Sequence, residues 1–311
     1  MASRNQVQWA MHLTLYLALS ALSGMVIAVM VVANTLLGQA TTMGVSLIIN
    51  HTIGLVLLSA ILLVGRKRPA IRGPGKPAPW YLYFNGLFGV AILNINYVTI
   101  ISIGASLAMA AAVFGQAASS LIFDLTGWMG IKKRTLNPTK VVSLAVCALG
   151  IVIMAQSGEG GSFKVGYILL SALAGVLTMT QMILNSTFAV YKGPIRAAQQ
   201  NFIGGLGAGL LFYLLLQREE TIEAIGKIPT ISPLLLVTGG LLAVFVVVTT
   251  SYVVVKIPAV YSALLLSAFQ VLMSLVIDTF FFDAFALPLL LGALLMLFGM
   301  GGNLYSDTTR A

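Results

Sequence analysis

The chain has 311 residues, of which 8% are charged and 59% apolar, with a formal net charge of +9 and one cysteine. Soluble proteins carry about 25% charged residues, so the composition excludes a soluble globular domain, and the lone Cys147 excludes a disulfide framework or a thiolate metal cluster. The positive charge would suit nucleic acid only on a folded surface, and here it sits between apolar runs.

Those runs cover 13–33, 41–64, 80–100, 103–126 and 139–156, then 165–189, 198–216, 232–255, 259–281 and 285–305. Each approaches the roughly 20 residues that cross a hydrocarbon core of about 30 Å. The expected fold class is an all-α polytopic membrane protein with ten transmembrane helices. The first run exceeds the roughly 7–15 residues of a signal-peptide core and is read as a permanent helix.

With the N-terminus in the cytoplasm, the inward loops collect Arg4, Arg66, Lys67, Arg68, Arg72, Lys76, Lys132, Lys133, Arg134, Lys140, Lys192, Arg196, Lys256 and Arg310. The outward loops hold only Lys164, Arg218 and Lys227. This bias places both termini inside. The basic stretch GRKRPAIRGPGK is then a topology signal with some attraction to anionic lipid, and no nucleic-acid partner is expected.

The chain repeats itself. At an offset of 151, Ser20-Ala21-Leu22 matches Ser171-Ala172-Leu173, Gly24 matches Gly175, Asn34 matches Asn185 and Asn50 matches Asn201. Beyond a small insertion the offset becomes 154, pairing Pro79 with Pro233, Gly86-Leu87 with Gly240-Leu241 and Ala105 with Ala259. The expected organisation is two five-helix repeats, 1–157 and 158–311. An odd number of spans per repeat inverts the second copy, an architecture that recurs in secondary transporters with a substrate site between the halves.

Within this frame two polar stripes stand out: Gln116, Ser120 and Asp124 in the fourth span, and Gln270, Ser274 and Asp278 in the ninth. A spacing of four puts each set on one helix face. Carboxylates and carboxamides are costly in a bilayer unless they face protein or water, so they are candidate substrate or coupling residues. The two acids lie toward opposite ends of the membrane, where each could guard one mouth of a cavity, pair with a neighbouring cation or meet the N-terminal amides of the next helix. Asn34, Asn185, Asn50, Asn96 and Tyr97 join the candidates as hydrogen-bonding groups inside spans. His51 joins them as a titratable ring suited to a proton relay, although its repeat counterpart is Phe202. The small residues Ala108, Ala112 and Gly115, and the cluster Gly204, Gly205, Gly207 and Gly209, are read as packing surfaces.

The first-helix pattern Gly24 to Asn34 and Gly175 to Asn185, together with GQAASSLIFD and FQVLMSLVID, resembles the YdcZ-like inner-membrane family of the drug/metabolite transporter superfamily. The resemblance implies a ten-helix fold of fused repeats in a bacterial inner membrane, and export of a small metabolite or toxic compound, usually by proton or ion exchange. No acid occurs in 13–33 or 165–189. The membrane-embedded first-helix Glu of the small multidrug-resistance relatives therefore has no counterpart here.

No HExxH, GxSxG or P-loop pattern is present, and GGLGAG follows no strand, so an enzyme is not expected and no cofactor or metal is called for. The expected function is secondary active transport of a small polar organic molecule, with protons or sodium as candidate coupling ions. The alternatives are a facilitative importer and a non-transporting membrane scaffold. Amide-rich walls favour a neutral or zwitterionic ligand. The duplication makes a monomer sufficient and leaves a homodimer open.

Overall fold

A computed structural model describes residues 4–65, 67, 73–127, 138–157, 164–253 and 259–308. The side chains of 4–13, Asp124, 259–263 and 303–308 fall outside the described set, as do the basic loop residues Arg66, Arg68, Arg72, Lys132, Lys133, Arg134, Lys256 and Arg310. The helices are α1 (Arg4–Ala40), α2 (Met43–Val64), α3 (Leu87–Ile103), α4 (Ala105–Thr126), α5 (Pro138–Met154), α6 (Val165–Lys192), α7 (Pro194–Leu216), α8 (Arg218–Ile225), α9 (Pro233–Val253), α10 (Ala259–Phe281) and α11 (Leu287–Thr308).

The protein is an all-α polytopic membrane protein, and each of the ten apolar runs forms one of these helices. Among the described residues seven helices are long and apolar enough to cross a membrane, and the apolar helices Pro138–Met154 and Leu287–Gly302 are shorter. The remaining long helix, α7, carries Arg196, Gln199, Gln200 and Asn201 in its first turns.

Two local departures from the sequence reading have clear causes. The third run begins as a 3-10 turn, Trp80–Phe84, and the α-helix starts only at Leu87. The break falls at Asn85-Gly86, where Gly86 lies against the backbone of Asn201 and Gly205 with no room for a side chain. The second departure is α8, a short helix in what reads as an outward loop. Its first turn holds Glu219 and Glu220, which suit the positive end of a helix. An exposed pair at 3.4 Å joins Glu223 in its last turn to Lys227 beyond its end and contributes little.

The helices interleave rather than forming two separate bundles. α1 packs on α9 and α10, and α6 packs on α3 and α4, so the first helix of each repeat lies against the third and fourth spans of the other. Glycines make this possible. A Cβ on Gly24 would strike the backbone of Leu266 and Gln270, and one on Gly175 would strike Ala112 and Gln116. These contacts are related by the two repeat offsets, 151 on one helix and 154 on the other. α2 crosses α7, and α5 lies along α11.

The largest apolar core joins α4, α5, α10 and α11 through residues such as Val113, Met154, Val271 and Met296. The packing reading of the small residues holds for four of the glycines: Gly115 meets Ala172 of α6, Gly205 makes room for His51, Gly209 meets Leu47, and Gly204 approaches Gly86. Gly207 faces open space.

The junction of α3 and α4 is a single residue, Gly104, at φ 78° and ψ 164°. That conformation is essentially restricted to glycine. Gly104→Ala is expected to lower stability by about 1–3 kcal/mol, seen as a lower melting temperature in detergent. An unchanged melt would show that the junction relaxes without cost.

Candidate functional site

At the centre of the bundle lies a cavity of about 190 Å³, walled by α1, α2, α3, α4, α6, α7, α9 and α10. Its lining residues come as repeat counterparts. Ile27 and Thr178, Met30 and Gln181, Asn34 and Asn185, Thr35 and Ser186, Asn50 and Asn201, His51 and Phe202 all contribute at the first offset. Gly89 and Ala243, Ile92 and Val246, Leu93 and Val247, Asn96 and Thr250, Ala112 and Leu266, Gln116 and Gln270 follow at the second. With Val31 and Met182 added, only Met43, Met109 and Ser251 lack a counterpart in the wall among the described residues. The cavity therefore sits where the two repeats meet on equal terms. Among the described residues, no Asp, Glu, Lys or Arg lines it.

The polar groups are held by specific local contacts. Asn50 Nδ2 donates to Asn34 Oδ1 at 2.5 Å, and Asn85 Nδ2 donates to Asn185 Oδ1 at 2.5 Å. The two bonds occupy equivalent places but use different partners. Position 85 supplies a carboxamide where its counterpart is Gly239, and Gly239 lies so close to Asn34 and Asn50 that a Cβ there would strike both amide oxygens. Gln181 Nε2 donates to the Asn85 carbonyl at 3.3 Å.

His51 Nδ1 stands 2.9 Å from the Leu47 carbonyl, which can only accept, so Nδ1 carries the proton and Nε2 of the neutral ring is left as an acceptor. The ring lies edge-on to Phe202, with centroids 5.5 Å apart. The amide oxygens Asn50 Oδ1 and Gln270 Oε1 are buried in this region with no hydrogen bond to the described protein. A buried acceptor left this way costs about 1–3 kcal/mol, which favours a donor arriving from a ligand or water in the cavity.

The structure divides the sequence candidates. Gln116, Gln270, Asn34, Asn185, Asn50, His51 and Asn96 line the cavity. Ser120, Ser274, Asp278 and Tyr97 do not. Ser274 Oγ donates to the Val271 carbonyl of its own helix, and the Tyr97 ring packs on Gly38.

Asp278 lines a second cavity together with Gly104 and Lys164. It is 4% exposed, and its carboxylate accepts from the backbone N–H of Ser106 at 2.6 Å and of Ala105 at 3.3 Å. Gly104, which precedes α4, has no side chain to cap that helix, and Asp278 supplies the cap from α10. The side chain of Asp124 lies outside the described residues. Gln181, Asn85, Asn201, Thr178 and Ser186 are polar residues of or beside the wall that are not among the sequence candidates. Asn85 and Gln181 are the informative ones, because each faces an apolar or glycine counterpart.

A family model described as "Putative inner membrane exporter, YdcZ" matches the chain twice, over residues 15–153 and 166–301. No curated protein matches. A solved structure titled "Crystal structure of protein" aligns with 94% of this chain and 98% of its own, at a TM-score of 0.59 and 16% identity, a likeness of fold.

Proposed function

We propose, from the premise that the chain belongs to the family described as "Putative inner membrane exporter, YdcZ", that it moves a small, uncharged or zwitterionic organic molecule through the central cavity by alternating access. The observation that carries the reading is the cavity wall itself. It is built from counterpart residues of both halves, carries no formal charge among the described residues, and holds the buried acceptors Gln270 Oε1 and Asn50 Oδ1 with no donor among them. A site at the junction of repeats near mid-membrane is what rocking of one half against the other would expose in turn to each side. The repeats are 1–157 and 158–311, and the basic loops put both termini in the cytoplasm. Uncharged walls disfavour a permanent cation, which would lose its hydration there without a counter-charge.

For proton coupling the described wall offers His51, the one imidazole among its described residues, and Asp124 stays a candidate beside it. Both carboxylate oxygens of Asp278 are already occupied by helix amides. Sodium coupling and simple facilitation are the remaining routes.

The test is substrate-dependent flux in proteoliposomes, screening amino acids, amides, sugars, polyamines and guanidinium compounds with and without a pH gradient. Wild-type protein is expected to move at least one neutral or zwitterionic class. Gln270→Leu and Gln116→Leu are each expected to reduce that flux about tenfold, the worth of one buried hydrogen bond of about 1.4 kcal/mol, with an unchanged melting temperature. Flux that ignores both substitutions would place the pathway elsewhere, and no flux for any class would favour a scaffold.

A further inference from the structure

The halves supply the cavity equally in position but not in chemistry, and the differences are not scattered. The Asn34/Asn185, Asn50/Asn201 and Gln116/Gln270 pairs are identical amides. Where counterparts differ most, the polar members gather together. An atom placed at the Cβ position of Gly89 would lie 3.4 Å from Gln181 Nε2 and 3.7 Å from His51 Nε2. Two polar nitrogens from α6 and α2 thus converge on the space left by a missing side chain on α3. The counterparts of Gln181, His51 and Gly89 are Met30, Phe202 and Ala243, and all three line the cavity as well. Phe202 belongs to an apolar cluster that takes in Ala243. One arm of the cavity is polar and its repeat-related arm is apolar.

Resting on the cavity as the substrate site, we infer that it takes a neutral amphipathic small molecule in a single orientation. A hydrogen-bonding head lies over Gly89 between His51 and Gln181, and an apolar tail lies against Phe202, Met30 and Ala243. The head must be able to donate, because Nε2 of the neutral His51 ring accepts. It must also be able to accept, because Gln181 bonds Asn85 through one N–H and keeps a second. A carboxamide does both at once. The His51 and Phe202 rings touch at 5.5 Å, so one small molecule spans both arms. The cavity of about 190 Å³ is equivalent to about six waters at ~30 Å³ each. An aromatic tail would meet Phe202 ring against ring.

The test uses purified full-length protein in detergent with benzamide, which carries both features, and acetamide, which carries the head alone, read by saturation-transfer NMR and competition. Benzamide is expected to bind at least tenfold more tightly than acetamide. Gln181→Met is expected to weaken benzamide about tenfold, and His51→Phe comparably. Met30→Gln, which makes the apolar arm polar, is expected to narrow the gap between the two probes. Size-exclusion profiles identify any variant that fails to assemble, and Gln181→Met, which preserves side-chain length, keeps the test decisive if His51→Phe does not fold.

Equal binding of the two probes, no binding of benzamide to wild type, or benzamide affinity unchanged in Gln181→Met would each overturn the inference. The readout is separate from transport. Benzamide bound without flux of any compound class would sink the transport reading alone, whereas flux of other compounds with no benzamide binding would sink only the two-armed site.

Discussion

Gly175→Leu is expected to eliminate assembled protein. At this position α6 lies directly on the backbone of α4: an added Cβ would run into the Ala112 carbonyl and would stand 2.9 Å from the Gln116 nitrogen. Neither obstacle is a side chain that can rotate away. α4 is held on its other faces by α5 and α10, so relief requires moving a helix that carries the cavity wall. One inserted methyl in such a place costs about 1–3 kcal/mol and an isobutyl group more. Gly175→Ala is therefore expected to survive with a depressed melting temperature, and Gly175→Leu to be lost from the monodisperse fraction on size exclusion.

Gly24 makes the equivalent contact with α10, where an added Cβ would stand 3.0 Å from Gln270 nitrogen, and Gly24→Leu is expected to behave in the same way. Gly207→Ala is the control. Nothing lies within 4 Å of its added carbon, and alanine's better helix propensity favours a change of zero to about 1 kcal/mol in the stabilising direction. Wild-type melting in Gly175→Leu would mean that α4 and α6 do not meet as described.

The second large effect is at Asp278. Asp278→Leu removes the acceptor for two amides at the start of α4 and leaves them facing an apolar side chain, at about 1–3 kcal/mol for each. A loss of roughly 2–5 kcal/mol is expected in the melt, with transport falling because assembled protein falls. Asp278→Asn keeps a carbonyl oxygen for Ser106 N–H. Asparagine caps helices about as well as aspartate, so this variant is expected to lose no more than about 1 kcal/mol, the charge–dipole term, and to transport at near wild-type rate per folded molecule. An Asp278→Asn protein that melts like wild type but does not transport would return Asp278 to the coupling machinery.

The sequence carries the membrane class, the helices and the duplication openly, because hydropathy and identical residues at a fixed offset are local properties. It carries the site only partly. Gln116 and Gln270 are legible because an amide inside an apolar run is conspicuous. The period of four that links each Gln to a Ser and an Asp suggests one shared purpose, yet the cavity is shorter than the stripe. Gln270 reaches it, Ser274 turns back to its own helix, and Asp278 reaches a neighbouring helix end.

Gln181 stayed hidden for the opposite reason. Matched residues mark positions where both repeats agree, and the counterpart of Gln181 is Met30. The same matching undervalues His51 because its counterpart is Phe202. Asn85 was concealed by its place at the edge of a span, where an asparagine reads as a turn former, and its bond to Asn185 spans 100 residues. α8 went unread because REETIEAI is short and polar, although two acids in a first turn are themselves a helix-start signal.

The pairing of α5 with α11 sets a timetable for biosynthesis. α5 ends at Met154 and its main neighbour ends at Thr308, about 150 residues later in the chain, with Gly150 against Gly292 and Cys147 against Gly299. At ~5–20 residues per second of synthesis, α5 waits on the order of 8–30 s in the membrane before the surface it is shaped for exists. Lipid tails cover apolar side chains about as well as protein does, so the interval exposes nothing greasy to water. Close glycine packing is not yet available, however, and through that interval α5 is held in place by its contact with α4 and by the charge of Lys140 in its own first turn.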